Sequence, residues 1–150
     1  MAMTMNGQIQ LAASRDVVWA KLNDPEVLKS CIPGSEQFDK VSDSEFQAIA
    51  TVKVGPVKAR WKGKVRLSDL DPPNSYRISG EGEGGVAGFA KGGAKVSLTD
   101  KDGGTLLTYD VEAQIGGKLA QLGQRLINSA AKKTADDFFA KFAAAVTQPG

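Results

Sequence analysis

The sequence predicts an α+β fold: a curved antiparallel sheet of seven strands, two short helices near the N-terminus, and a long C-terminal helix over an apolar cavity. Three observations carry this. First, residues 118–146 place Leu119, Leu122, Leu126, Ala130, Phe138, Phe142 and Ala145 mostly at three- and four-residue steps, with no proline among them. Second, from Glu36 to Ile115 the period changes to two, in runs broken by Gly-Pro, Pro-Pro-Asn and Asp-Gly-Gly turn signals. Third, the sheet face that would meet the helix is rich in alanine and glycine.

Taken in order, Gln8–Leu11 alternates and reads as the first strand. Ser14 is placed to cap a helix over residues 15–22, with Asp16 in the first turn, where a carboxylate meets the positive end of the helix dipole. Pro25 opens a second short helix, Glu26–Ser30, and Ile32-Pro33-Gly34 ends it. Glu36–Val41 is the second strand, and Glu45–Val54 the third, with Phe46, Ala48, Ala50, Val52 and Val54 on one face. After Gly55-Pro56, the fourth strand runs from Val57 to Leu67. It sets Ala59, Trp61, Gly63 and Val65 on one face and Lys58, Arg60, Lys62, Lys64 and Arg66 on the other. Asp71-Pro72-Pro73-Asn74 turns into a fifth strand carrying Tyr76, Ile78, Gly80, Gly82 and Gly84. Alternation persists to Gly93, so this glycine-rich stretch is kept in the sheet. The sixth strand, Ala90–Thr99, carries Ala94, Val96 and Leu98. Asp102-Gly103-Gly104 is a hairpin signal into the seventh, Leu106–Ile115, with Tyr109, Val111 and Ala113 inward. Gly116-Gly117 permits a sharp turn into a helix over 118–146, and Pro149 is its expected stop. Strands joined by tight turns make an antiparallel meander. At ~1.5 Å per residue the helix would be roughly 43 Å long, enough to cross one small domain. With 150 residues and no linker or repeat, a single domain over 1–150 is expected.

Composition narrows function. Lys and Arg number 19 against 17 Asp and Glu, a net charge of +2, too weak to argue for nucleic acid. Histidine is absent, which removes the commonest general base and metal ligand. Cys31 is the sole cysteine, so an internal disulfide, a thiolate cluster and a Cys–His pair are all excluded, and it reads as a packing residue. The N-terminus has neither a basic start nor an apolar run, and no stretch approaches the ~20 apolar residues of a membrane span. Gly80-Glu81-Gly82-Glu83-Gly84-Gly85 precedes no Lys-Ser or Lys-Thr and opens no helix, against a phosphate loop. Asp136 and Asp137 are adjacent on a helix and cannot face one another as a dyad.

The small-residue face leaves two arrangements open. Either the helix presses into it and fills the space, or the curved sheet and helix enclose a cavity for a flat or elongated apolar molecule. The second is the reading adopted. Its expected lining is Phe46, Ala48, Ala50, Ala59, Trp61, Tyr76, Ile78, Gly80, Gly82, Tyr109, Val111, Leu119, Leu122, Gly123 and Leu126. Tyr76, Tyr109 and Gln121 are the polar tips placed to orient a ligand, though each could equally satisfy a core hydrogen bond. Within the helix, 118–127 is expected to be the cavity lid and 130–146 the structural clamp. The basic face of the fourth strand is expected to be solvated, with Lys62 opposite Glu83, Lys64 opposite Glu81 and Arg66 opposite Glu45.

Two stretches resemble a known family. Cys31-Ile32-Pro33-Gly34 after two short helices is similar to the "PG" turn of the CoxG family of carbon monoxide dehydrogenase subunits. Gly117-Lys118-Leu119-Ala120-Gln121-Leu122-Gly123-Gln124-Arg125-Leu126-Ile127, with Phe138-Phe139-Ala140-Lys141-Phe142 after it, resembles that family's terminal helix. The similarity spans Met5 to Val146, and the Gly-Lys-x-Ala-Gln-Leu-Gly-x-Arg run is its most specific part. The resemblance implies the helix-grip fold of START lipid-transfer domains, birch-pollen-type allergens and polyketide cyclases. It implies an accessory protein without intrinsic cofactor or metal, holding a quinone or lipid. Its partner would be a molybdenum hydroxylase complex of the carbon monoxide dehydrogenase kind, recruited to the inner face of the cytoplasmic membrane, with peripheral contact to anionic lipid and none to nucleic acid. Many members continue past this helix to a membrane-anchoring tail, whereas this sequence stops at Gly150, so a short form or contact through the folded surface is expected. Two other functions are weighed beside this one. A cyclase or aromatase would need Tyr76, Tyr109 or Arg125 as acid or oxyanion stabiliser. A ligand-free adaptor would work through the basic strand and the row Lys118, Arg125 and Lys132.

Overall fold

Period-two runs without a helical competitor pair with their sequence neighbours, and the seven strands form one antiparallel sheet. The computed structural model describes residues 1–147. Their order is β1 (Ala2–Leu11), α1 (Arg15–Leu22), α2 (Pro25–Cys31), β2 (Ser35–Lys40), β3 (Glu45–Val54), β4 (Val57–Asp71), β5 (Ser75–Glu83), β6 (Phe89–Lys101), β7 (Gly104–Gly116) and α3 (Gln124–Thr147). Single 3-10 turns occur at Gly85–Ala87 and Ala120–Leu122. The spatial order β1-β7-β6-β5-β4-β3-β2 is a meander in which only β1 moves, crossing to pair with β7. This is an α+β fold with two short helices near the N-terminus and a long C-terminal helix against the concave face.

The local signals act as the residues dictate. The Ser14 side chain accepts from the Val17 N–H, and the Asp24 carboxylate accepts from Glu26 ahead of Pro25 at the start of α2. The register places Lys62 opposite Glu83, Lys64 opposite Glu81 and Glu45 opposite Arg66. Arg66 closes on Glu45 at 2.8 Å and Arg60 on Glu36 at 3.1 Å, so the outer basic face is partly neutralised. The Thr51 hydroxyl and Arg60 hold the Glu36 carboxyl below its ordinary range.

Three expectations change. β1 begins at Ala2, not Gln8, because it pairs residue for residue with β7 from Ala2–Gln114 to Leu11–Thr105. Met3, Met5, Gly7, Ile9 and Leu11 supply its inward face. The glycine-rich stretch leaves the sheet at Gly84–Gly88 as a turn carrying Val86 into solvent. The terminal helix is not continuous over 118–146. Gly123 takes φ 93°, ψ 156°, a region essentially closed to other residues, and this ends the Ala120–Leu122 turn before α3 begins. Pro149, the expected stop, lies outside the described residues.

The core forms two clusters. The larger joins Leu11, Val18, Phe46, Leu107, Phe142 and Val146, tying α1 and the end of α3 to the sheet. The smaller joins Met3, Ile115, Leu119 and Ile127. Phe142 is fully buried and stacks on Phe138 at 5.8 Å.

Candidate functional site

A cavity of about 560 Å³ separates α3 from the sheet and draws its walls from both clusters. That volume is within the ~300–1,000 Å³ that encloses a drug-sized ligand. Its roof is the middle of α3, where Ala130, Ala131, Thr134 and Ala135 present small side chains between Ile127 and the pair Phe138–Phe139. The spacing i, i+1, i+4, i+5 keeps all four on one face. The intervening Lys132 and Lys133 point outward and pair with Asp136 at 2.9 Å and Asp137 at 3.1 Å. The hydrogen bond to Asp136 raises the Lys132 pKa above its ordinary value. Leu22, Leu28, Ile32 and Pro33 of the short helices and the turn after them close one side, and Met3 and Met5 of β1 another.

Among the described residues no charged side chain lines this cavity, and Tyr76, Tyr109 and Thr134 bring its only side-chain hydroxyls. Tyr76 is 3% exposed and meets Trp19 edge to face at 5.2 Å. Among the described residues no side-chain polar atom is sealed away without a partner, and the Tyr76 hydroxyl, which bonds to no protein group, keeps its access to the cavity space. Desolvation pushes its pKa well above the ordinary phenol value. It is a neutral donor at physiological pH. Tyr109 stacks on Phe139 at 5.1 Å and also borders an outer groove between β1 and α3, beside Asn6, Asn128 and Lys132. Two phenol hydroxyls on an apolar wall can donate to a carbonyl or hydroxyl oxygen of a bound molecule. They do not constitute a nucleophile–base pair.

Of the residues expected from the sequence to line the cavity, Phe46, Tyr76, Ile78, Tyr109, Val111 and Leu119 do so. The remainder do not. Trp61 turns its indole over Gly84, where an added Cβ would sit 2.9 Å from the ring, and packs with the smaller cluster. Leu126 is 36% exposed and lies against Gly55 at the edge of the domain. Leu122 and Gly123 belong to the segment before α3; Leu122 packs against the smaller cluster, and Gly123 has open space beside its Cα. Gly80 and Gly82 have no side chain to offer and border outer-face grooves instead. Ala48 packs on the larger cluster, and Ala50 and Ala59, paired with Trp61 and Val52, are too short to reach the cavity. Gln121 is exposed. The expected lid of 118–127 is therefore replaced by Ile127–Phe139, and its signal was the run Ala130-Ala131-Lys132-Lys133-Thr134-Ala135.

Cys31 is buried against the larger cluster. Among the described residues, no three His, Cys, Asp or Glu side chains are grouped to hold a metal ion, and no helix is long and apolar enough to cross a membrane.

The sequence pattern of the CoxG family of carbon monoxide dehydrogenase subunits matches residues 7–147. No curated protein matches the chain. A crystal structure of a protein from Geobacillus kaustophilus is 33% identical with a TM-score of 0.90, covering 96% of this chain and 95% of that one. A START superfamily protein from Mycobacterium smegmatis superposes with a TM-score of 0.72 at 13% identity, over 95% and 96% of the two chains. The Zhui aromatase/cyclase from Streptomyces gives 0.71 at 12% identity, over 97% and 94%. The last two share the START-like fold.

Proposed function

The chain belongs to the CoxG family, and we propose on that premise that it is a non-catalytic accessory protein carrying one apolar molecule, a quinone or lipid, for a molybdenum hydroxylase of the carbon monoxide dehydrogenase kind. One observation carries the reading: a cavity of about 560 Å³ in which, among the described residues, the only polar side-chain groups are the hydroxyls of two tyrosines and one threonine. A quinone suits it. The ring and isoprenoid tail bury against alanines and aliphatics, and a carbonyl oxygen accepts from Tyr76 or Tyr109. The carrier works beside the inner face of the cytoplasmic membrane, the source of such ligands. The chain over 1–150 acts as one domain.

Native mass spectrometry and solvent extraction of the purified protein, followed by quinone and phospholipid titration, test the proposal. A co-purifying quinone or lipid, or saturable binding at micromolar ligand, is the expected result. Absence of binding to both classes overturns it. The cyclase-type fold neighbour motivates one control. If replacing both Tyr76 and Tyr109 by Phe abolished a turnover reaction while leaving ligand bound, the protein would be an enzyme.

A further inference from the structure

We propose that one end of the domain docks on an anionic phospholipid bilayer, with Val86 and Phe89 entering the headgroup layer and five cations ringing them. Three segments build this end: the β3–β4 turn, the β5–β6 turn, and the connection from β7 to α3. They are packed as a unit. The Leu119 N–H donates to the Ala87 carbonyl at 2.9 Å, and Leu126 covers Gly55. Val86 is 83% exposed and Phe89 50%, the two most exposed large apolar side chains of the described residues other than Val41. Residues 53–58, 84–91 and 117–126 hold Lys53, Lys58, Lys91, Lys118 and Arg125 and not one Asp or Glu.

The five cations are gathered at one end of the domain. Arg15, Arg60, Arg66, Arg77, Lys132 and Lys133 each meet a carboxylate within the domain. Among the described residues none of the five closes on a carboxylate, as several lysines elsewhere do not, and Lys91 stands opposite Glu81 in the β5–β6 ladder. Lys53 stands directly opposite Lys58 in the β3–β4 ladder, an arrangement that opposes folding. The far end of the sheet reverses the sign, with Asp43, Asp69, Asp71, Asp100 and Asp102 at its three hairpins. The domain is thus polarised, and its positive end carries the apolar tips. Cations around side chains that protrude singly from a turn match a headgroup layer, which attracts the first and admits the second. A flat protein partner would call for a contiguous apolar patch.

The inference rests on the membrane-side carrier reading for its setting and gives that carrier a docking surface. Val54, Ala90 and Leu119 come from the same three segments and line the cavity, so a ligand leaving the bilayer meets the cavity at the docked end.

Sedimentation of the whole chain with vesicles tests it, comparing phosphatidylcholine alone with a mixture containing phosphatidylglycerol. Binding is expected only to the mixture and should fall with salt. Each neutralised cation should weaken it about fivefold, so the triple change Lys53→Gln, Lys118→Gln, Arg125→Gln should weaken it about a hundredfold. Val86→Ser should weaken binding without moving the melting temperature, since the side chain is in solvent. Val86→Trp should strengthen it and be quenched by brominated lipid. Equal binding to both vesicle types, no binding to either, or loss on Lys62→Gln, Lys64→Gln of the outer face with the triple variant unaffected would each overturn the proposal. So would a triple variant that binds vesicles normally but fails to hold the hydroxylase, which would make this end a protein dock. Quinone titration of the triple variant separates the two readings: unchanged ligand binding with lost vesicle binding supports the surface. Failure of the unaltered chain to bind any quinone or lipid sinks the carrier alone.

Discussion

Tyr76 shows what one buried side chain contributes. Its ring packs edge to face on Trp19 while its hydroxyl faces the cavity space. Desolvation raises its pKa in the folded protein, so the unfolded chain releases the phenol proton first as pH rises. The stability held below the ordinary tyrosine pKa of about 10 is therefore lost as pH climbs above it. Tyr76→Phe is expected to flatten that alkaline limb in melting curves taken from neutral pH upward and, with one donor gone, to weaken quinone binding. An alkaline limb unchanged by the substitution would show that the phenol does not carry it. Residue identity was legible here because Tyr76 shares the parity of Ile78 in a period-two run. Depth was not legible. Trp61 and Leu126 have inward periodicity too, but one covers Gly84 and the other sits at the rim beside Gly55. Periodicity gives the face of a side chain, while the distance to the opposing element decides whether it lines a cavity or fills a corner.

At the scale of the element, α3 divides by side-chain volume. Phe142 and Val146 are buried in the larger cluster, so Phe142→Ala should cost about 3–5 kcal/mol in chemical denaturation, the range for an emptied aromatic site. Ala135 faces the cavity, and Ala135→Leu adds bulk where space already exists. It should abolish ligand binding in a titration while leaving stability equal or higher. A protein that loses both together would have its cavity and its core in one place. Before α3, the φ and ψ of Gly123 fall in a region essentially reserved for glycine, and Gly123→Ala should cost about 1–3 kcal/mol by the same denaturation measurement. The apolar recurrence made the helix legible, but the recurrence continues through Leu119 and Leu122 without registering that the backbone breaks at Gly123. Glycine inside an otherwise helical pattern is ambiguous, because the sequence does not show whether its permissive backbone is being used. The β5–β6 turn was hidden in the same way, since Gly84 and Gly88 preserve a period of two while the chain leaves the ladder.

Over the whole molecule, the sheet was legible because its hairpins are local and turn signals separate the strands. The match of Glu45 to Arg66 follows from the β3–β4 turn alone, whereas that of Lys62 to Glu83 also depends on a one-residue register shift between Ser68 and Asp71. The cavity and the charge polarity join residues far apart in the chain, and only the assembled sheet brings Met3, Val96 and Ala131 around one space or gathers Lys53, Lys91 and Lys118 at one end. An unfilled apolar space forfeits dispersion contacts on its walls, so a molecule that fills it should stabilise the fold by more than a surface binder of equal bulk. A ligand that binds only the native state at a hundred times its Kd adds about 2.7 kcal/mol. For a chain of this length that corresponds to a rise of about 5–11 °C in melting temperature. The expected outcome is such a rise on adding quinone or lipid to ligand-free protein, and none for Ala135→Leu. A rise of equal size in both would place the ligand outside the cavity. It would make α3 a structural clamp along its whole length, with its small residues serving only to bring it close to the sheet.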